Sequence, residues 1–230
     1  DKEMVNMNKE KMKKGLKIVL IVVFIIFMLF VINTIRKLII VKELQKNVSQ
    51  YISSTNYHIK SISNEDNGIV MIYNSYQKND KKLFVMERVE NGKTNAKIST
   101  YDNGKEKHTF WEADETKKAS LDSHVIMMMN LYDYFGGQSN MQLICSCLGS
   151  KVESAEYKGK QCYRIGNFRS GNWLDAAYGT SEVYIEKDTG LVLKMNFGTI
   201  GSEIEYEFDT VQDEIFVEPD ISQYTLTEDL

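Results

Sequence analysis

Residues 57–112 read YHIKSISNEDNGIVMIYNSYQKNDKKLFVMERVENGKTNAKISTYDNGKEKHTFWE, a stretch punctuated by Asn67-Gly68, Asn91-Gly92 and Asn103-Gly104. Between these pairs, residues 57–62, 69–76, 83–89, 96–101 and 107–112 alternate in polarity or are rich in β-branched and aromatic side chains. Asn-Gly accepts two successive positive φ angles, which a tight type I′ hairpin turn requires. The spacing therefore predicts an antiparallel meander. Glu65-Asp66-Asn67-Gly68 and Tyr101-Asp102-Asn103-Gly104 superficially resemble calcium loops. Neither has the further alternating oxygens and distal glutamate of such a loop, so turn chemistry is the better reading.

Downstream the pattern changes period. Asp122 or Ser123 is placed to cap a helix over 122–135 that lines up Val125, Met128, Met129, Tyr132 and Phe135, and Gly136-Gly137 stops it. Residues 138–148 fit a second helix less clearly. Strands return at 151–157, 162–167, 182–186, 192–197 and 203–211, with turns at Lys158-Gly159-Lys160 and Asp188-Thr189-Gly190. The expectation is about nine strands in one β-rich domain over 36–230.

Upstream, every residue from Ile18 to Ile32 is apolar, and residues 16–35 supply a membrane span if Lys17 snorkels to the headgroups. No small-x-small cleavage site or lipidated cysteine follows the run, so it is expected to stay as an anchor. Six lysines precede it, at positions 2, 9, 11, 13, 14 and 17, against Arg36, Lys37, Lys42 and Lys46 after it. This bias places 1–15 in the cytoplasm and the domain on the extracytoplasmic side of the cell membrane. The chain opens on Asp1, so it is expected either to be a fragment or to have an internal native start, with Met7 a candidate. From 35 to 52 the apolar residues keep helical spacing, so the anchor should continue, or restart, as an amphipathic helix packed on the domain, ending at Ser53-Ser54-Thr55-Asn56.

Charge and motif content narrow the chemistry. Beyond residue 17 the chain carries 22 basic and 29 acidic residues. Such an acidic domain repels phosphate backbones, so no nucleic-acid partner is expected. Cys145 and Cys147 form a C-x-C pair and Cys162 stands alone, which does not make a zinc site. In an oxidising exterior a disulfide from Cys145 or Cys147 to Cys162 is one reading; three small buried hydrophobes is the other, and the favoured one. His58, His108 and His124 sit in no nucleophile motif, and Gly136-Gly137 lacks the spacing and lysine of a phosphate loop. No catalytic residue, metal or cofactor is expected. Met127-Met128-Met129 fits ordinary core, or a helix closing over an apolar ligand.

Several segments together resemble the LolA-like lipoprotein-carrier superfamily. Tyr101-Asp102-Asn103-Gly104 leading to Phe110-Trp111-Glu112-Ala113-Asp114 looks like its D-G-x-x-x-W-x-Y-D segment. Val183-Tyr184-Ile185-Glu186-Lys187-Asp188-Thr189-Gly190-Leu191-Val192-Leu193-Lys194 resembles its T-G hairpin. Glu203 to Tyr206, followed by Phe216-Val217-Glu218-Pro219-Asp220, is similar to its closing strand and F-x-x-P tail. The resemblance implies an α+β fold: a transmembrane helix, then a strongly curved antiparallel sheet, a half-barrel, with covering helices. It also implies a non-enzymatic domain that holds a lipid or an acylated protein, with Trp111, Val125, Met128, Met129 and Tyr132 in the apolar cavity. The retained anchor departs from a diffusing carrier and points to a tethered role. The alternative is a sensory or protein-interaction module for an envelope or membrane partner. A third idea, an extracytoplasmic hydrolase, requires a polar cleft joining a histidine to a nucleophile.

Overall fold

The computed structural model describes residues 2–64, 68–121, 138–168, 180–197 and 200–228. It opens with one unbroken helix, α1 (Lys2–Ile52). Its apolar part makes it the one helix among the described residues long and apolar enough to cross a membrane, and none of that apolar window is buried against the protein. Past Arg36 the same helix changes character. Lys37, Ile40, Val41, Leu44 and Val48 turn inward and are buried, while Lys42, Glu43 and Lys46 stay exposed. The amphipathic continuation is thus real, with no break between the two parts. The ending also agrees: Ser54 N–H donates to the Tyr51 carbonyl at 3.0 Å, and β1 starts at Asn56.

Six strands follow in a meander: β1 (Asn56–Asn64), β2 (Ile69–Lys78), β3 (Lys81–Glu90), β4 (Lys93–Asp102), β5 (Lys107–Ala113) and β6 (Thr116–Ser120). A short helix, α2 (Asn140–Gly149), leads to β7 (Lys151–Tyr157), β8 (Lys160–Gly166), β9 (Thr180–Glu186), β10 (Val192–Phe197) and β11 (Ile200–Phe208). Two 3-10 turns, Asp213–Phe216 and Ile221–Gln223, precede β12 (Thr225–Leu226). All twelve strands form one open sheet in the order β12-β6-β5-β4-β3-β2-β1-β11-β10-β9-β8-β7. The two meanders are joined through β1 and β11, in register from Tyr57 opposite Phe208 to Asn64 opposite Gly201.

The sheet is mixed where an antiparallel one was expected, because β12 runs parallel to β6 while every other pairing is antiparallel. The sequence reading also missed β6. Its Thr-Lys-Lys-Ala-Ser carries no alternation, and it is a strand because β5 and β12 pair it on both sides. Covering helices are fewer than expected among the described residues: α2 and the second half of α1. The helix expected over 122–135 lies outside the described residues.

Turn chemistry is only partly as read. Asn91 and Gly92 both take positive φ, 52° and 74°, as a type I′ turn demands, and so do Lys158 and Gly159, 49° and 77°. At Asn103-Gly104 only the glycine does, at 84°. There the Asn103 side-chain oxygen accepts from the Lys105 and Glu106 N–H groups, both at 3.0 Å, and builds a longer loop.

One face of the sheet, called inner below, receives the helices. Ile40, Val41, Leu44 and Val48 of α1 and Leu143 and Cys147 of α2 pack with Tyr57, Ile59, Ile165, Val183, Ile185, Val192, Met195 and Ile204. Each fully buried aliphatic side chain of this set contributes about 1.5–3 kcal/mol. The outer face is largely polar and carries one charged row across eleven strands. It runs Glu153, Arg164, Tyr184, Lys194, Glu203, Ile62, Ile72, Glu87, Lys97, Glu112 and Lys117. Opposite charges face each other at five of the ten steps, which favours this register over a slipped one.

At the β3–β6 end, neighbouring residues Leu83 and Phe84, Ser99 and Thr100, Thr109 and Phe110, and Ala119 and Ser120 are all buried. Successive strand residues point to opposite faces, so both faces are covered there. On the outer face the cover is the chain's own C-terminal strap. Asp213 bonds Lys78 and Lys81 at 2.7 and 3.0 Å, Glu218 bonds His108 at 2.7 Å, and the Tyr224 ring stands edge-on to Phe110 at 5.0 Å.

Candidate functional site

Trp111 is the one predicted ligand-contacting residue among the described positions; Val125, Met128, Met129 and Tyr132 lie outside them. It is half-buried on the inner face of β5, with Ile98 and Lys118 beside it in register and the Lys118 ammonium 5.6 Å from its ring centroid. Its row continues through Met86 and Tyr73 to the buried Ser61. Beside that row runs a second one of Ser75, Phe84, Thr100, Thr109 and Ser120, all buried, with the Thr100 and Thr109 hydroxyls bonded at 3.0 Å. The inner face of β2–β6 is therefore a strip of large half-buried apolar side chains flanked by small hydroxyls.

A second site was not legible in the sequence. A cleft of about 430 Å³ opens where β10 stops pairing with β11. Only Lys194 to Phe197 of β10 pair with β11, so the ladder between the two strands ends at Glu203, before residues 204–208. On its other side β10 shifts register against β9 at the same level, between Val192 and Lys194. Into it converge Tyr51 from the end of α1, Tyr157 from β7, Leu191 and Leu193, and Ile204, Tyr206 and Phe208 of β11. Tyr51 and Phe208 pack at 4.7 Å between ring centroids, and Tyr206 and Phe208 stack almost parallel at 6.4 Å.

The rim of this cleft is charged. Lys158, at the β7–β8 turn, reaches Glu203 of β11 at 2.8 Å and Glu205 at 3.8 Å, and Lys160 pairs with Glu186 at 3.2 Å. These bonds hold Glu203 below the usual carboxylate range, through Lys158 first, and raise Lys158 in turn. Burial pushes the Tyr157 and Tyr206 phenols up, so both stay protonated across physiological pH. The arrangement offers an aromatic and aliphatic wall with paired charges at its mouth. It suits an amphiphile, and its volume falls in the range of small-molecule pockets. Its residues come from α1, β7, the β9–β10 turn, β10 and β11, so no local sequence pattern announces them.

A further depression of about 550 Å³, lined by Gln77, Asn79, Lys82, Asp102, Asn103 and neighbours, is polar and lies at the tips of two hairpins. The histidines do not form a constellation. His58 stacks on Tyr76 and bonds Glu207 and Asn74, while His108 bonds Glu218. Both occupy the outer-face row Tyr76, Leu83, Tyr101, and four strand spacings, about 19 Å, separate them. His124 lies outside the described residues. No group of three or more metal-ligating side chains occurs among the described residues.

The three cysteines are free, and the geometry explains why no bridge to Cys162 forms. Cys147 packs in the helix-side core and Cys145 is exposed on α2, whereas Cys162 is buried on the other face of β8, opposite Ala155 and Glu186. A bridge would have to cross the sheet. Burial raises both buried thiols above their ordinary values.

No family model matches this chain, and no curated protein matches it. Among solved structures, an uncharacterized conserved protein from Thermus thermophilus is similar with a TM-score of 0.47 and 13% identity, over 81% of this chain and 99% of that one. A likeness at that level carries no argument about function.

Proposed function

We propose that this chain is a membrane-tethered, extracytoplasmic, non-enzymatic domain that binds a hydrophobic ligand, a lipid or an acylated protein. The observation that carries the reading is the aromatic-walled cleft at Tyr51, Tyr157, Leu193, Tyr206 and Phe208, with its polar mouth. The Trp111 strip is a second apolar surface suited to the same class of ligand. In this reading α1 spans the bilayer over 16–35 with residues 1–15 in the cytoplasm, the sheet is open and uncurled rather than the half-barrel that the LolA-like resemblance implies, and the tether restricts the domain to ligands at its own membrane.

The test is photo-crosslinking of the full-length protein with a diazirine-bearing fatty acid, mapped by mass spectrometry. Adducts on peptides containing Tyr51, Leu193, Tyr206 or Phe208, lost on filling the cleft with Leu193→Trp, support the proposal. Adducts confined to the apolar part of α1 would remove it.

The continuity of α1 favours one second reading, a sensory module. A helix that enters the core unbroken can transmit a displacement of the domain to its other end. In that case in-cell crosslinking should capture a discrete membrane or envelope partner, and the cleft should take no fatty acid.

A further inference from the structure

Helix α2 buries one stripe and leaves the other bare. Leu143, Ser146 and Cys147 face the core, while Met141, Ile144 and Leu148 are 69%, 37% and 42% exposed. These three recur at i, i+3 and i+7, with exposed Cys145 beside them, so they form one apolar ridge. The helix carries no charged residue. On a water-facing helix such a ridge has an obvious cost; charged side chains normally occupy that face.

The position of α2 suggests what covers it. Its C-terminal end is clamped to α1 by Lys37, whose buried ammonium donates to the Cys147 carbonyl at 3.1 Å and to the Ser150 carbonyl. Lys37 lies two residues, about 3 Å of helix rise, beyond the end of the apolar stretch at Ile35. On the face of α1 opposite Lys37, Ile35 and Ile39 are 51% and 61% exposed. Thr34, one turn before Lys37, and Val31, one turn before that, are half-buried although they belong to the apolar stretch itself. The fold therefore meets α1 at, and slightly inside, the level where the helix would leave the bilayer. At that level an uncharged helix about 15 Å long meets acyl chains and headgroups, not bulk water.

We infer that α2 is an interfacial helix whose Met141, Ile144 and Leu148 ridge dips into the outer leaflet of the bilayer that α1 spans. This rests on the anchor reading of α1. The occupant of the ridge is the lipid of that membrane, because the Lys37 clamp holds α2 beside the point where the apolar stretch of α1 ends. With α1 crossing the bilayer and α2 lying in its surface, the domain is held at two points, and its orientation to the membrane is fixed as well as its distance.

The test uses the full chain in vesicles of phosphatidylcholine and phosphatidylglycerol. A spin label is placed on the native Cys145, since Cys147 and Cys162 are buried. In a Cys145→Ser background, labels on Met28→Cys and Lys105→Cys mark the span and the exposed hairpin loop. Relaxation by oxygen is compared with relaxation by a water-soluble nickel chelate. The label at 145 should be oxygen-accessible and shielded from the chelate, at a depth between those of 28 and 105. If 28 is shielded while 145 matches 105, the interfacial helix is wrong and the anchor stands. If 28 is as open to the chelate as 105, the anchor reading has failed and takes this inference with it. Spin–spin broadening at 145 that disappears on dilution with unlabelled chain would mean a second copy covers the ridge, and would also overturn it.

Discussion

Gly190 sits with its α-carbon against the backbone of α1 at Leu44 and Val48, so close that a side-chain carbon there would contact the Leu44 carbonyl and lie 2.8 Å from the Val48 nitrogen. This is where α1 is locked to the sheet. Asn47, in the same turn, donates its side-chain amide to the Lys187 carbonyl at 2.8 Å. The glycine also adopts φ 71° in the β9–β10 turn, so it serves both the turn and the close approach. Through it, Leu44, buried completely, reaches the core.

Gly190→Ala should therefore destabilise the domain by about 2–4 kcal/mol, combining left-handed strain with a backbone clash. Urea titration monitored by tyrosine and tryptophan fluorescence would measure it. Gly159→Ala, at similar φ but with open space around its α-carbon, should cost only the strain, about 1 kcal/mol.

Lys37→Met should loosen α2. Removing the ammonium leaves the Cys147 and Ser150 carbonyls without that donor at the end of the helix, a loss of about 1–3 kcal/mol. Hydrogen exchange of α2 amides should speed up accordingly. Lys46→Met, at an exposed position on the same helix, should leave α2 exchange unchanged.

The C-terminal strap should detach in acid. Lys78 and Lys81 hold the Asp213 carboxyl below its ordinary value, so the folded form binds that proton less readily than the free chain. The contribution is present above the ordinary aspartate value of about 3.9 and is lost as pH falls through the lowered folded value. Hydrogen exchange over 211–227 should thus be flat from neutral pH down to about 5 and accelerate below about 4 beyond the intrinsic trend. Asp213→Asn should make the strap exchange faster at neutral pH and remove that part of the acid response.

Cys147 and Cys162 should resist thiol reagents in the folded protein and react once it is denatured. Both are fully buried, and burial also keeps them protonated. Mass spectrometry after maleimide treatment would show at most one adduct on the folded chain and three in guanidinium.

Much of the fold was legible because each element had a local cause. The strand-forming runs in Lys81–Glu90 and Lys93–Asp102, with the Asn91-Gly92 turn between them, define a hairpin without outside help, and the spacing of Ile40, Val41, Leu44 and Val48 marks a helix face. What was not legible depends on partners distant in sequence. β6 is a strand through β5 and β12, and the pairing of β1 with β11 joins residues 57 and 208. The cleft exists because β10 pairs with only part of β11. The Asn103 loop departed from a type I′ turn because its side chain found two backbone N–H groups to bond.

The claim on which the rest depends is that α1 crosses the membrane and puts the sheet on the extracytoplasmic side. It is tested most directly by labelling intact cells with a membrane-impermeant maleimide, using Cys145→Ser chains that carry either Lys13→Cys or Ser222→Cys. The account predicts immediate labelling at 222, labelling at 13 only after lysis, and a chain that stays in the membrane pellet through a carbonate wash. Labelling at 13 with protection at 222, or release of the chain into the soluble fraction, would contradict it.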